Sequence, residues 1–454
     1  MSIKTDQPQF LAELIEESKF FAGADELDIV CKHDERGENF HDEITIDGKV
    51  YDYENSHAFA GEPERKRYAK RFTKLALYLS LSDYLNIDLP WGALTGIRPV
   101  KFAYNEDDDW RNVMKNQMRV SDKKIEMVSK IMETQKPFYV VNENANDLFI
   151  GIPFCPSRCS YCSFVSNVVS AEKHLTEYVD ALCKEIENAK PLIKKLNSVY
   201  IGGGTPVSLP TELLERILVS VGNVDCEYTV EAGRPDCIDD TVLTLLKKYG
   251  VTRICVNPQT FNDKTLELIG RKHTGDDIKV KFTLAKKYGF DVNMDLIAGL
   301  PEETFEDFRY SLDTAVSLSP DDVTVHTLSL KKGSKLKESV ERLEAGEIEK
   351  MIDYAYETLT KNGYDPYYTY RQKYMAGNLE NTGYAKKGKA CVYNVDVMEE
   401  ITDNLACGAN AVSKKLFDGG ARIERYGAPK DIATYIAKID TIIDEKNKLF
   451  EKNG

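Results

Sequence analysis

The chain has 454 residues, 42% hydrophobic and 30% charged, with a formal net charge of −14. That length supports two or three domains with a sizeable core, and the negative field disfavours nucleic acid as the main partner. No apolar run approaches the roughly 20 residues needed to span a bilayer. The N-terminus also lacks the basic-then-apolar layout of a secretion signal, so a cytoplasmic chain without a membrane span is expected.

Residues 1–145 read as an N-terminal α+β accessory domain. Short strands are predicted at 27–32 and 42–51, then a long helix at 64–84. Arg67, Lys70, Arg71 and Lys74 share one stripe of that helix, at i, i+3, i+4 and i+7. Such a stripe is either a solvated face or a basic ridge facing an anion. A Gly/Pro-punctuated loop, Trp91–Pro99, carries Arg98, and helical stretches follow near 107–118 and 121–135.

From 146 to 335 the rhythm changes. Strands are predicted at 147–152, 197–202, 226–231, 252–257, 291–297 and 321–327. Helices alternate with them near 171–190, 211–222, 239–249, 275–288 and 303–318. Regular strand–helix alternation implies parallel βαβ units, here a partial (βα)6 TIM-type barrel with a lateral opening. Chemistry in such barrels collects at the C-terminal strand ends. Those ends carry the 155–162 cysteine loop, Gly202-Gly203-Gly204-Thr205, Glu231, Asn257-Pro258-Gln259, Asp295 and His326-Thr327 in turn. Residues 336–454 are predicted to form a C-terminal helical and aromatic region, with a helix at 345–361 and a tyrosine-rich block at 364–375 acting as a lid over the barrel mouth.

Cys155, Cys159 and Cys162 form a C-x3-C-x2-C loop with Tyr161 before the last cysteine and Phe164 after it. Three thiolates hold three corners of a cubane iron–sulfur cluster and leave the fourth iron open, where an ordinary electron-carrying cubane uses four. An open metal position is where substrate chemistry occurs. The alternative is a zinc site or three buried thiols, but zinc sites usually add a second Cys or His pair, and none follows. The other seven cysteines are isolated in sequence and read as small core residues in a reducing, low-oxygen cytoplasm. Gly203 and Gly204 let backbone approach a ligand closely, and their amides suit the amino and carboxylate ends of a methionine-like group. Glu231 and Asp295 can accept from ribose hydroxyls or an α-amino group, although Asp295 can equally cap a turn. Arg271 can pair with a carboxylate, and Gln259 offers both donor and acceptor.

Taken together with Thr95–Pro99, Gly151–Cys155, Ile201–Pro206, Glu231–Asp236, Val256–Thr260, Ile269–Thr274, Asn293–Pro301, Thr324–Thr327 and Asn378–Asn381, the sequence resembles the oxygen-independent coproporphyrinogen III oxidase (coproporphyrinogen dehydrogenase) branch of radical S-adenosylmethionine (SAM) enzymes, HemZ type, over nearly its whole length. The resemblance implies a 4Fe-4S cluster on Cys155, Cys159 and Cys162, with SAM chelating the open iron. Gly203, Gly204, Thr205, Glu231, Gln259, Arg271 and Asp295 would line the SAM site. It implies one-electron cleavage of SAM to a 5′-deoxyadenosyl radical that takes hydrogen from a substrate propionate, so that carbon dioxide leaves and a vinyl group remains. Two cycles would give protoporphyrinogen IX in heme biosynthesis. A reduced flavodoxin- or ferredoxin-type donor and a monomeric chain are expected. Phe149 and Gly151 stand where better-studied relatives carry Tyr and His. A porphyrinogen tetracarboxylate needs cationic anchors, for which Arg98, Arg158, Arg234, Arg371 and Lys373 are candidates. Two other readings are a heme-binding chaperone and a radical SAM enzyme acting on heme itself.

Overall fold

The computed structural model describes residues 2–106, 109–164, 166–329, 345–372 and 375–452. The chain divides into two compact units, Met1–Ser129 with Arg371–Leu379, and Lys130–Tyr370 with Glu380–Gly454.

The first unit carries a four-stranded sheet in the order β1-β2-β3-β4, made of β1 (Ser2–Thr5), β2 (Asp28–Arg36), β3 (Asn39–Ile46) and β4 (Lys49–Ser56). Strand β3 buries alternate residues, as a half-covered strand should. The single strand expected at 42–51 is interrupted at Asp47-Gly48, whose φ values of 47° and 87° make a tight hairpin turn of the Asp-Gly kind. Helix Glu62–Leu85 lays Tyr68, Phe72, Leu75 and Ala76 into the core and stops at Asn86, which is left-handed. Its basic stripe meets carboxylates throughout, with Arg67–Glu64 at 3.2 Å, Lys70–Glu13 at 3.1 Å, Arg71–Glu106 at 2.6 Å and Lys74–Glu17 at 3.7 Å. The ridge is thus neutralised within its own unit, and the inner two cations are largely buried rather than solvated.

In the second unit lie β5 (Asn142–Ile152), the short pair β6 (Phe154–Cys155) and β7 (Asn167–Val168), then β8 (Leu196–Gly203), β9 (Glu227–Gly233), β10 (Arg253–Val256), β11 (Asp291–Ala298) and β12 (Asp322–Thr327). These are followed by β13 (Asp365–Tyr370), β14 (Asn381–Ala385), β15 (Thr402–Cys407), β16 (Val412–Phe417) and β17 (Arg422–Gly427). Eleven of them form one open sheet, β13-β14-β12-β11-β10-β9-β8-β5-β15-β16-β17. The six strands read from sequence are its parallel middle, and β15 extends it by pairing parallel with β5. Their residues are almost continuously buried, the mark of a sheet covered on both faces. Covering helices Gly275–Lys287 and Phe305–Leu318 each open on a capping box, Thr274/Asp277 and Thr304/Asp307.

The C-terminal region adds strands to the same sheet. The tyrosine block becomes β13, paired antiparallel with β14, which in turn pairs with β12. Tyr367 and Tyr368 are buried, because aromatic and β-branched side chains suit a sheet packed on both sides. Helix Val392–Glu399 sets Tyr393 against Tyr200 of β8, with ring centroids 4.5 Å apart. A buried carboxylate pair joins Asp147 of β5 to Asp396 of this helix. Ser198 donates to Asp147 at 2.6 Å, Thr402 also donates to it, and Asn197 donates to Asp396 at 2.5 Å.

Candidate active site at the strand ends

Backbone pairing fixes the cysteine loop at both flanks. Cys155 ends β6, which pairs with β7, and the Ser160 amide donates to the Ile269 carbonyl at 3.1 Å. A turn from the Cys162 amide to the Cys159 carbonyl closes it at 3.2 Å. Cys159 is buried, and Cys155 and Cys162 are half-buried. Burial raises the Cys162 thiol, and the charges of Cys159 and Cys155 push the same way. Among the described residues no three His, Cys, Asp or Glu side chains converge on a single ion. Three thiols in one loop can ligate three irons of a cubane, each ligand binding a separate iron.

Each neighbouring strand end contributes to this loop. After β8, Thr205 places its hydroxyl 3.6 Å from the Cys155 sulfur. The glycine run is dictated by packing. A Cβ on Gly202 would sit 2.7 Å from the Glu231 carboxyl carbon, and one on Gly204 only 2.4 Å from the Phe154 carbonyl oxygen. Gly203 has φ +105°, open to glycine and costly for other residues. Its amide donates to Glu231 at 3.1 Å and the Gly204 amide to the Ile152 carbonyl at 2.8 Å, so both already have acceptors within the chain.

Glu231 lies near the end of β9 and receives the Tyr200 hydroxyl at 2.7 Å. Burial pushes its carboxyl up to about 7, and the nearby Asp295 charge adds to the rise. Asp295, on β11, is held by the side-chain amides of Asn257 and Asn293, both at 2.7 Å, with His326 Nε2 3.8 Å away. Gln259 is buried with φ +66°. Its backbone bridges to β11, receiving from Ile297 at 3.0 Å and donating to the Asp295 carbonyl at 2.8 Å. Arg271 is buried and donates to the Asn257 carbonyl at 2.5 Å and to the Tyr161 hydroxyl at 3.3 Å. Burial and the adjacent guanidinium keep His273 neutral, its pKa lowered to about 4.

The proposed anchors fare differently. Arg371 is buried in the first unit, bonded to the Leu94 carbonyl and Asn378 and stacked over Trp91. Its side chain is thus committed to holding its own unit together, which corrects the lid-anchor expectation. Arg234 is buried and turned toward the cysteine loop. Arg158 is exposed on that loop, Arg98 is half-buried in the first unit, and Lys373 lies outside the described residues. Phe149 stacks with Tyr200 and Tyr393 at 6.3 and 6.1 Å. At Gly151 a Cβ would lie 3.4 Å from both the Cys407 carbonyl oxygen and the Phe149 ring.

Tyr200, Asn293 and Tyr393 escaped the sequence reading. Tyr200 stands two residues before Gly202, hence on the same strand face, and that spacing was an available signal. Tyr393 had none, because it arrives from a helix far along the chain.

Residues 149–315 match the radical SAM superfamily. A Bacillus subtilis protein named oxygen-independent coproporphyrinogen-III oxidase-like protein HemZ is 32% identical over 442 residues, 90% of this chain and 88% of that one. The chain belongs to the radical SAM superfamily, in the HemZ family. As a radical SAM protein it uses a 4Fe-4S cluster and SAM, and the three-thiol loop with its ring of polar strand ends suits both. The heme chaperone HemW of B. subtilis is 36% identical over 189 residues, 40% of this chain and 49% of that protein. The solved coproporphyrinogen III oxidase HemN of Escherichia coli superposes with a TM-score of 0.54 at 23% identity, covering 66% of this chain and 70% of that one. This likeness shows the shared radical SAM fold. No helix among the described residues is long and apolar enough to cross a membrane.

Proposed function

We propose that this radical SAM protein oxidatively decarboxylates the propionates of coproporphyrinogen III to vinyl groups without oxygen. One observation carries the reading: an open three-thiol loop shares its strand ends with Glu231, Gln259, Arg271 and Asp295 in a chain alignable with HemZ over nearly its whole length. When bound, the cluster and SAM supply a one-electron cleavage that yields a hydrogen-abstracting carbon radical. Cys155, Cys159 and Cys162 would hold the cluster. Gly203, Gly204 and Thr205 would lie against SAM, Glu231 and Asp295 would accept from its hydroxyl or amino groups, Gln259 would bond it, and Arg271 would pair with its carboxylate. On the loop itself Arg158 is exposed and would meet a substrate carboxylate. A reduced flavodoxin- or ferredoxin-type protein would supply the electron to a cytoplasmic monomer.

The match to HemW favours one other reading, a heme-binding chaperone. Anaerobic incubation with SAM, reductant and coproporphyrinogen III tests both. Protoporphyrinogen IX together with deoxyadenosine supports the decarboxylase. Heme uptake with neither product supports the chaperone.

A further inference from the structure

Arg234, one of the expected substrate anchors, is engaged beside the cysteine loop. It follows β9 directly and is 3% exposed. Nε and Nη2 donate to the two carboxylate oxygens of Asp236, both at 2.8 Å. This two-point clamp fixes the plane of the guanidinium. The remaining edge points at the cysteine loop, where Nη1 lies 3.0 Å from the Ser157 hydroxyl and 3.8 Å from the Cys159 sulfur. Among the described contacts Asp236 is the one carboxylate bonded to Arg234.

We propose that Arg234 is a tuning residue for the cluster: clamped by Asp236, it presents a fixed N–H to the Cys159 sulfur and thereby raises the reduction potential of the cluster. Hydrogen bonds to cluster sulfurs and local charge are among the main settings of iron–sulfur potentials. A donor held rigid before reduction stabilises the added negative charge without reorganising. The inference rests on the reading that Cys159 is a cluster ligand, and it goes further by giving this chain a donor with a measurable electrochemical effect.

The test is a redox titration followed by electron paramagnetic resonance, on full-length reconstituted protein without SAM, with iron per chain measured in parallel. Arg234→Gln is expected to keep its iron and to lower the reduced-to-oxidised ratio at fixed poise about tenfold, or about 59 mV for one electron. The double variant Arg234→Gln/Asp236→Asn is expected to keep most of that shift, since it removes the clamped donor without leaving a bare carboxylate. Arg234→Lys is expected to fall between. A parental potential in Arg234→Gln with full iron overturns the proposal. So does a parental potential in the double variant, which would assign the effect to the bare Asp236 charge. If Arg234→Gln loses iron, Arg234→Lys decides: a parental potential there makes the residue a structural cation. Failure of the parent protein to form a cubane sinks the ligand assignment instead, and iron analysis separates the two outcomes.

Discussion

Glu231→Gln should separate the cost of the site from its use. The carboxylate accepts from Tyr200 at 2.7 Å and from the Gly203 amide at 3.1 Å, yet burial outweighs both and moves its pKa from 4.5 to about 7. A carboxyl raised in the folded state keeps a proton that the unfolded chain has released. Its contribution to stability is therefore complete below about pH 4.5 and is lost as pH climbs to about 7. At about 1.4 kcal/mol per pH unit of displacement, the loss is on the order of 3 kcal/mol. Glutamine keeps the volume and removes the titration, but it can accept only one of the two bonds, a cost of about 1 kcal/mol. Cofactor-free Glu231→Gln is thus expected to be slightly less stable than the parent at pH 4.5 and about 2 kcal/mol more stable at pH 8. Urea denaturation at the two pH values measures this, and equilibrium dialysis on cluster-loaded protein should show SAM binding lost. An equal stability difference at both pH values would refute the reasoning, because it would mean that Glu231 ionises in the fold as freely as in the unfolded chain.

Tyr200→Phe removes the hydroxyl that steadies Glu231. Hydrogen bonds to charged groups contribute about 1.5–3 kcal/mol, so SAM should bind about tenfold or more weakly by dialysis while iron per chain is unchanged. Gly204→Ala places a Cβ 2.4 Å from the Phe154 carbonyl oxygen and 2.9 Å from that of Ile152, prising β8 from β5 beside Cys155. A cost of about 1–3 kcal/mol and reduced cluster loading are expected, read by thermal denaturation and iron analysis. Asp396→Asn should stabilise the fold increasingly up to pH 9, since burial and the Asp147 charge push Asp396 up to about 9 and an amide can donate to Asp147 without titrating. Denaturation midpoints at pH 5 and pH 9 check it, and a gain that does not grow with pH would show that the pair shares no proton.

Legibility varied with the range of the interaction. The six parallel strands were readable because each is a short apolar run bounded by turn residues. The helices between them were readable from their caps and periodicity. The cysteine loop was readable because the spacing of its thiols is local. The break at Asp47-Gly48 was missed, although an Asp-Gly pair between strands is a hairpin signal. That part of the tyrosine block forms a strand was not legible, because aromatic content alone does not distinguish a covering segment from a strand buried on both faces. The partners of Arg371 and Arg234 were not legible for a related reason: a cation's identity says nothing of which carbonyl or carboxylate faces it.

What the sequence by itself determined is the local chemistry: where strands end, which residues stand at those ends, and that three thiols share one loop. Tertiary structure alone decided how distant segments meet, with β15 lying along β5, Tyr393 reaching Tyr200, and Arg234 turned onto Cys159. The physical reason is that spacing along the chain fixes local geometry, whereas contacts between residues far apart depend on which buried surfaces and charges find complementary partners once the sheet has formed.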